Sequence, residues 1–195
     1  MNKQIFNENY NPKYREFFQL CEHIGDSLNG RKDRFDKADL FEAALEAATH
    51  GILEWVDDIG FDLQDKRTGM RFECKTQRDL FWTKTGRVRR SQSTSEVKLT
   101  NTLQQAENKS LDVTADYLIL IDTTHYAMGI IPYKDVVENY TLEKKDGFSC
   151  VIPLSAIEML HETHDKSWSD VEVDDYKETK KNVQKEYVRS FFNEV

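Results

Sequence analysis

The chain has 195 residues, of which 38% are hydrophobic, 32% charged and 11% aromatic, enough to bury one core and too aromatic for long-range disorder. Its net charge of −8 excludes a generally cationic nucleic-acid binder but leaves room for a local basic face. No run approaches the roughly 20 apolar residues of a membrane span, so no membrane partner is expected.

The three cysteines, Cys21, Cys74 and Cys150, lie far apart without a CxxC pair, which argues against a disulfide framework or a structural zinc site. With no signal-like apolar run near the start, the expected location is a reducing cytoplasm. The expected organisation is a main domain over residues 1–162, then an acidic segment and an amphipathic helix over 163–195.

Asn11 followed by Pro12 reads as a helix start. Phe17, Leu20, Cys21, Ile24 and Leu28 then recur at helical spacing and predict a first helix to about Leu28. A polar loop over Asn29–Lys37 precedes a second helix over Ala38–His50, with Leu40, Phe41, Ala44, Leu45 and Ala48 inward and Gly51 as its C-cap. From Ile59 the pattern becomes a strand, Asp65–Gly69 is turn material, and Met70–Thr76 alternates as the returning strand of a hairpin.

Arg78–Lys98 reads as a long basic loop, followed by a helix over about Leu99–Asn108. Asp116–Asp122 is a continuous apolar run suited to a buried central strand, with Tyr126–Ile131 as its neighbour. A short helix over Tyr133–Glu138, a strand over Phe148–Ile152 and a helix over Ser155–His161 complete the domain. Beyond the acidic stretch Thr163–Asp175, the stripe Val183, Tyr187, Val188, Phe191 and Phe192 predicts a helix packed on the chain's own core.

The hairpin carries the chemistry. Asp62 sits on its first strand, and Glu73 and Lys75 on its second. Residues two apart on a strand share a face, so Glu73 and Lys75 project together and Cys74 turns into the core. Two carboxylates with a nearby backbone carbonyl offer hard oxygen ligands for Mg²⁺. A divalent ion lowers the pKa of its water and neutralises phosphate charge, and a lysine beside that water can orient it, or deprotonate it if its own pKa is depressed. Asp58 and Asp65 are rival carboxylates, assigned instead to the preceding loop and to the turn.

The Asp62…Glu73-Cys74-Lys75 pattern resembles the PD-(D/E)XK nuclease superfamily, particularly its type II restriction endonuclease members, over about Ala38–Ile131. Phe61 stands where the motif name has proline. The resemblance implies an α/β fold with a restriction-endonuclease-like core, a central mixed β-sheet flanked by helices. It also implies Mg²⁺-dependent hydrolysis of double-stranded DNA, with Mn²⁺ as a substitute. Asp62, Glu73 and Lys75 are then the catalytic residues, and Asp62, Glu73 and the Cys74 carbonyl the metal ligands. A further acidic residue on the preceding helix would be Glu46, or Glu42 one turn away. Cutting both strands implies a homodimer.

Charge places the DNA. Lys66–Lys98 holds ten basic residues against three acidic ones, which leaves the rest of the chain with a net charge of −15. Arg78, Lys84, Arg87, Arg89, Arg90, Gln92, Ser93 and Lys98 are the candidate DNA contacts, because arginine offers guanine a bidentate fork. His161 and His164 are three apart, the wrong spacing for a metalloprotease pair, and the five histidines read as structural or surface residues. The expected function is a sequence-specific restriction-type endonuclease. A structure-selective phage, repair or junction nuclease, or a DNA-binding module without activity, are the alternatives.

Overall fold

A computed structural model describes residues 1–27, 34–58, 60–78, 80–85, 90–93, 96–100, 113–144 and 147–162. Asn2 opens the first helix, its side chain accepting the Ile5 N–H at 2.9 Å, and α1 runs Lys3–Tyr10. Asn11, expected to start a helix, ends this one: it adopts the left-handed conformation (φ 40°), and its N–H donates to the Asn7 carbonyl at 2.9 Å. Asparagine suits either cap, and only the helix before it decides which. Helix α2 covers Tyr14–Ser27, and α3 covers Arg34–Ala48, starting inside the stretch expected as loop. Gly51 closes α3 as expected, with φ +71° and its N–H on the Glu46 carbonyl at 2.9 Å.

Six strands form a mixed sheet in the order β1-β2-β3-β7-β8-β11. They are β1 Leu53–Asp58, β2 Phe61–Asp65, β3 Arg71–Gln77, β7 Tyr117–Asp122, β8 Ala127–Pro132 and β11 Glu158–His161. The β2–β3 hairpin and the central β7 and β8 lie where the sequence pattern puts them. β3 and β7 pair in parallel; every other neighbouring pair is antiparallel. Strand β1 was not expected. Ser155–His161, expected as a helix, is a 3₁₀ turn over Leu154–Ala156 followed by β11. Ile157 and Leu160 have helical spacing, but pairing with β8 and the stacking of His161 on Tyr14 (centroids 4.6 Å apart) override it.

The segment between β3 and β7 holds strands where a basic loop and a helix were expected. β4 (Trp82–Thr85) and β5 (Arg90–Ser93) pair as an antiparallel ribbon. β6 (Glu96–Thr100) pairs with β10 (Gly147–Pro153), which pairs with β9 (Thr141–Lys144) in a second, three-stranded sheet. Leu99 and Thr100 are therefore strand residues; the rest of the expected helix lies outside the described residues. Helix α4 covers Tyr133–Asn139 as expected.

Helices α1–α3 cover one face of the large sheet, where Phe6, Phe17, Phe18 and Leu45 meet Phe72, Ile119 and Ile121. On the other face Leu118, Leu120 and Ile131 meet Val97, Leu99, Cys150, Ile152 and Val136. Alternate residues of β7 are thus buried on opposite faces, which explains its unbroken apolar run. All three cysteines are free and buried. No helix among the described residues is long and apolar enough to cross a membrane. The described residues belong to the unit Met1–Glu162; residues 163–195, including the expected amphipathic helix, lie outside them.

Candidate active site

The hairpin has a closed end and an open end. At the closed end, Gly69 (φ +74°) lets the turn bring the Asp65 N–H onto the Met70 carbonyl at 2.8 Å. Asp65 serves this turn, as expected: it accepts from the Arg67 N–H at 2.8 Å and from Arg67 Nε and Nη2 at 3.1 Å. Burial would raise its carboxyl, but these bonds and one from Thr68 outweigh it and hold the group below the usual carboxylate range.

The backbone ladder then stops at Leu63 opposite Phe72. One step beyond, Asp62 stands across from Glu73, and its Oδ2 accepts the Cys74 N–H at 2.6 Å. A side chain thus takes the place of the partner strand. The N–H and C=O of a strand residue leave by the same edge, so the Cys74 carbonyl also emerges on the Asp62 side. The Cys74 side chain is buried in the helix-covered core, as expected.

Gly60, just before β2, has φ +112°, and its carbonyl accepts a short hydrogen bond from Thr114 Oγ1. Tyr133, buried at the start of α4, lies beside Thr114. A Cβ on Gly60 would lie 2.8 Å from Thr114 Cβ, so the approach requires glycine. This three-residue brace had no signal in the sequence, because its members come from three separate segments.

Glu73 is 8% exposed and forms a tight ion pair with Lys75 through Oε1 and Nζ. Burial raises the Glu73 carboxyl, and the Asp62 charge adds to that, against the pull of Lys75. Asp62 is also raised, first by burial and then by Asp39, against the Cys74 N–H and Lys75. Burial would lower the Lys75 ammonium, but Glu73 and Asp62 outweigh it and hold it above its usual value. Lys75 is therefore held as a cation between these carboxylates, suited to orienting a water or a phosphate oxygen.

Of the two helix carboxylates, Glu42 is the one that feels the site. Burial first, then Asp62 and Asp39, push it up to about 8, against a Trp55 Nε1–H bond of 3.0 Å and Lys75. Glu46 accepts the Trp55 backbone N–H at 3.4 Å. Burial also raises Tyr133 to about 12, with Glu73 and Asp62 among the nearby charges. The sequence pattern gave Tyr133 no role.

Among the described residues no group of three or more His, Cys, Asp or Glu side chains is set to hold a metal ion. The fit of a divalent cation rests on charge: Glu42, Asp62 and Glu73 share one lysine in a desolvated setting, and all three carboxyls are raised. A hard cation relieves that excess of negative charge, and the Cys74 carbonyl supplies a further oxygen.

Of the expected DNA contacts, Arg78 is exposed just after β3. Lys98 is exposed on β6 and paired with Glu96 at 2.8 Å, so part of its charge is answered locally. Lys84, Arg90, Gln92 and Ser93 lie on the β4–β5 ribbon. Arg87 and Arg89 lie outside the described residues. Phe81 is buried in the core on the second face of the large sheet, and Asp58, assigned to a loop, instead ends β1 opposite Phe61. Comparison with family models, curated proteins and solved structures finds no match for this chain.

Proposed function

We propose that this chain is a Mg²⁺-dependent endonuclease acting on double-stranded DNA, of the PD-(D/E)XK, restriction-endonuclease-like type. One observation carries the reading: a hairpin opens where Asp62 meets Glu73 and Lys75, leaving two raised carboxylates beside one charged lysine. The mixed sheet, with a helix before the hairpin and a parallel strand after it, supports the same core. So does the excess of basic residues in Lys66–Lys98 on an acidic chain.

Asp62, Glu73 and the Cys74 carbonyl would hold the ion, with Glu42 next to Asp62 as the further carboxylate. When bound, the ion neutralises phosphate charge and lowers the pKa of a water. The chain's own residues do the rest. The Cys74 N–H fixes one Asp62 oxygen and so sets the other. Lys75, held by Glu73, presents a fixed positive charge to a phosphate oxygen or to the attacking water. The Thr114–Gly60 hydrogen bond fixes the backbone just ahead of Asp62. Cleavage of both strands calls for two such sites, hence a homodimer.

The test is a digest of plasmid and phage DNA with Mg²⁺, with EDTA and Glu73→Ala as controls. Discrete fragments lost in both controls support a site-specific endonuclease. Cutting confined to forks or nicks turns the reading towards structure selectivity. Duplex binding without cleavage, unchanged in Lys75→Ala, overturns the enzymatic reading.

A further inference from the structure

Arg71 opens β3 two residues before Glu73 and four before Lys75, so the three side chains belong to one strand face at spacings of about 6.6 Å. Its backbone is clamped from both sides. The Arg71 N–H donates to Asp116 Oδ2 at 2.8 Å, and the Asp116 N–H donates to the Arg71 carbonyl at 2.9 Å. The side chain is exposed, yet its direction is set: the guanidinium carbon lies 4.8 Å from the centre of the Phe61 ring. Phe61 is itself 7% exposed and precedes Asp62, so the platform is a fixed part of the site wall.

Among the described residues the guanidinium has no salt bridge and no hydrogen bond, although acidic residues outnumber basic ones by 35 to 27 in the chain. Arg67, four residues earlier, shows the alternative, with its fork closed on Asp65. Stacking leaves the edge N–H donors of an arginine open, and a planar fork matches two oxygens of a phosphate.

We propose that Arg71 is an anion anchor that binds a phosphodiester oxygen flanking the group that reacts at Asp62, Glu73 and Lys75. The inference rests on the nuclease reading for its ligand. Lys75 is committed to Glu73 and serves the reacting group. Arg71 lies two residues from Glu73, stacked and without an ion pair among the described residues, and fixes the adjoining phosphate, so that the substrate's register is set by two cations of different kinds.

The experiment measures binding of a labelled DNA duplex by fluorescence anisotropy, with Ca²⁺ in place of Mg²⁺ so that the duplex survives. Salt is titrated between about 50 and 200 mM. Arg71→Ala should weaken binding about tenfold and reduce the slope of log K against log salt by about 0.9, the signature of one lost phosphate contact. Arg71→Gln, close to it in length, should repeat the loss. Arg71→Lys should restore the slope but not the full affinity, because a point charge replaces a fork. In Mg²⁺, Arg71→Ala should raise KM about tenfold and leave kcat within about twofold, a split that a merely structural loss does not produce.

Unchanged slope and affinity in Arg71→Ala, with the wild-type chain cutting DNA, overturn the anchor and leave the nuclease reading standing. Duplex binding that depends on Arg71 without any cleavage supports the anchor and sinks the catalytic reading. A wild-type chain that neither binds nor cuts duplex overturns both.

Discussion

The two ends of the β2–β3 hairpin each hold an aspartate, and the fold treats them in opposite ways. Asp65, at the turn, is 1% exposed and yet held below the usual carboxylate range, because Arg67 supplies three N–H donors and Thr68 another bond. Asp62, three residues away, is raised, first by burial, with one short N–H bond from Cys74, a lysine already paired to Glu73, and Asp39 nearby. Burial alone does not decide the state of a carboxylate; the supply of donors and countercharge does. The closed end has spent its charges on structure. The open end keeps an unmet demand for positive charge, which is what a metal site needs.

Exchanging each aspartate for asparagine separates the two ends. Asp62→Asn should lower DNA cleavage at least about 100-fold while raising the Tm of the metal-free protein at pH 8, because a desolvated charge is removed and an acceptor for the Cys74 N–H is kept. Asp65→Asn should do the reverse. Its amide faces the Arg67 fork with too few acceptors, so Tm should fall by about 5 °C, with cleavage per folded molecule unchanged. Cleavage lost in Asp65→Asn and kept in Asp62→Asn would put the chemistry at the wrong end of the hairpin.

The two glycines give the same contrast in the backbone. Gly69, at the closed end, has φ +74° and open space where a Cβ would stand, so Gly69→Ala should cost about 1 kcal/mol. Gly60 has φ +112° and would set its Cβ 2.8 Å from Thr114 Cβ. Gly60→Ala should therefore cost about 3 kcal/mol in chemical denaturation, and should also lower cleavage, because it pushes on the brace that leads into Asp62. Equal costs at the two positions would mean that the brace does not hold the open end.

What could be read in the sequence follows from what is local. The hairpin, Gly69 and the Glu73–Lys75 pair were legible because a strand's period of two and a glycine turn are written into adjacent residues. Strands β7 and β8 were legible because burial on both faces leaves an apolar run. The choice between Glu42 and Glu46 was not, since both lie one turn apart on α3 and only the packing of that helix beside Trp55 and Asp62 turns Glu42 to the site. Asn11 misled because a cap looks alike at either end of a helix. Ser155–His161 misled because the β8 edge that captures β11 is far away in sequence. Tyr133, Thr114 and Gly60 meet only in three dimensions.

Glu42 makes the demand of the open end measurable without DNA. Burial pushes its carboxyl up to about 8 in the folded chain against 4.5 as its ordinary value, so between these two pH values it keeps a proton in the folded state that it loses in the unfolded one. The Glu42 contribution to stability is therefore full below about pH 4.5 and is lost as pH rises to about 8. Asp62 and Glu73, also raised, act in the same direction. The Tm of the metal-free protein should fall by a few degrees across that window, Glu42→Gln should flatten the fall, and added Mg²⁺ should oppose it by binding the charged form. A pH dependence of Tm left unchanged by Glu42→Gln would contradict the desolvation of this carboxyl.

The smallest effect belongs to the closed end's surface. Lys66 Nζ lies 2.5 Å from Glu54 Oε1, but the two side chains are 63% and 36% exposed, so solvent screens the pair. Lys66→Ala should change stability by less than about 1 kcal/mol, an effect that fades with added salt. The comparison with Arg67, one residue on, is the informative part. Arg67 is also exposed, yet its fork closes on a buried carboxylate and also reaches the Asn9 carbonyl at 3.1 Å, tying the turn to the end of α1. Arg67→Ala should lower Tm clearly more than Lys66→Ala and should do so even at high salt, because the loss leaves Asp65 buried and short of donors. If the two variants matched, the low state of Asp65 would rest on the turn's backbone N–H and Thr68 alone, and the asymmetry between the hairpin's ends would come from its backbone and not from its arginine.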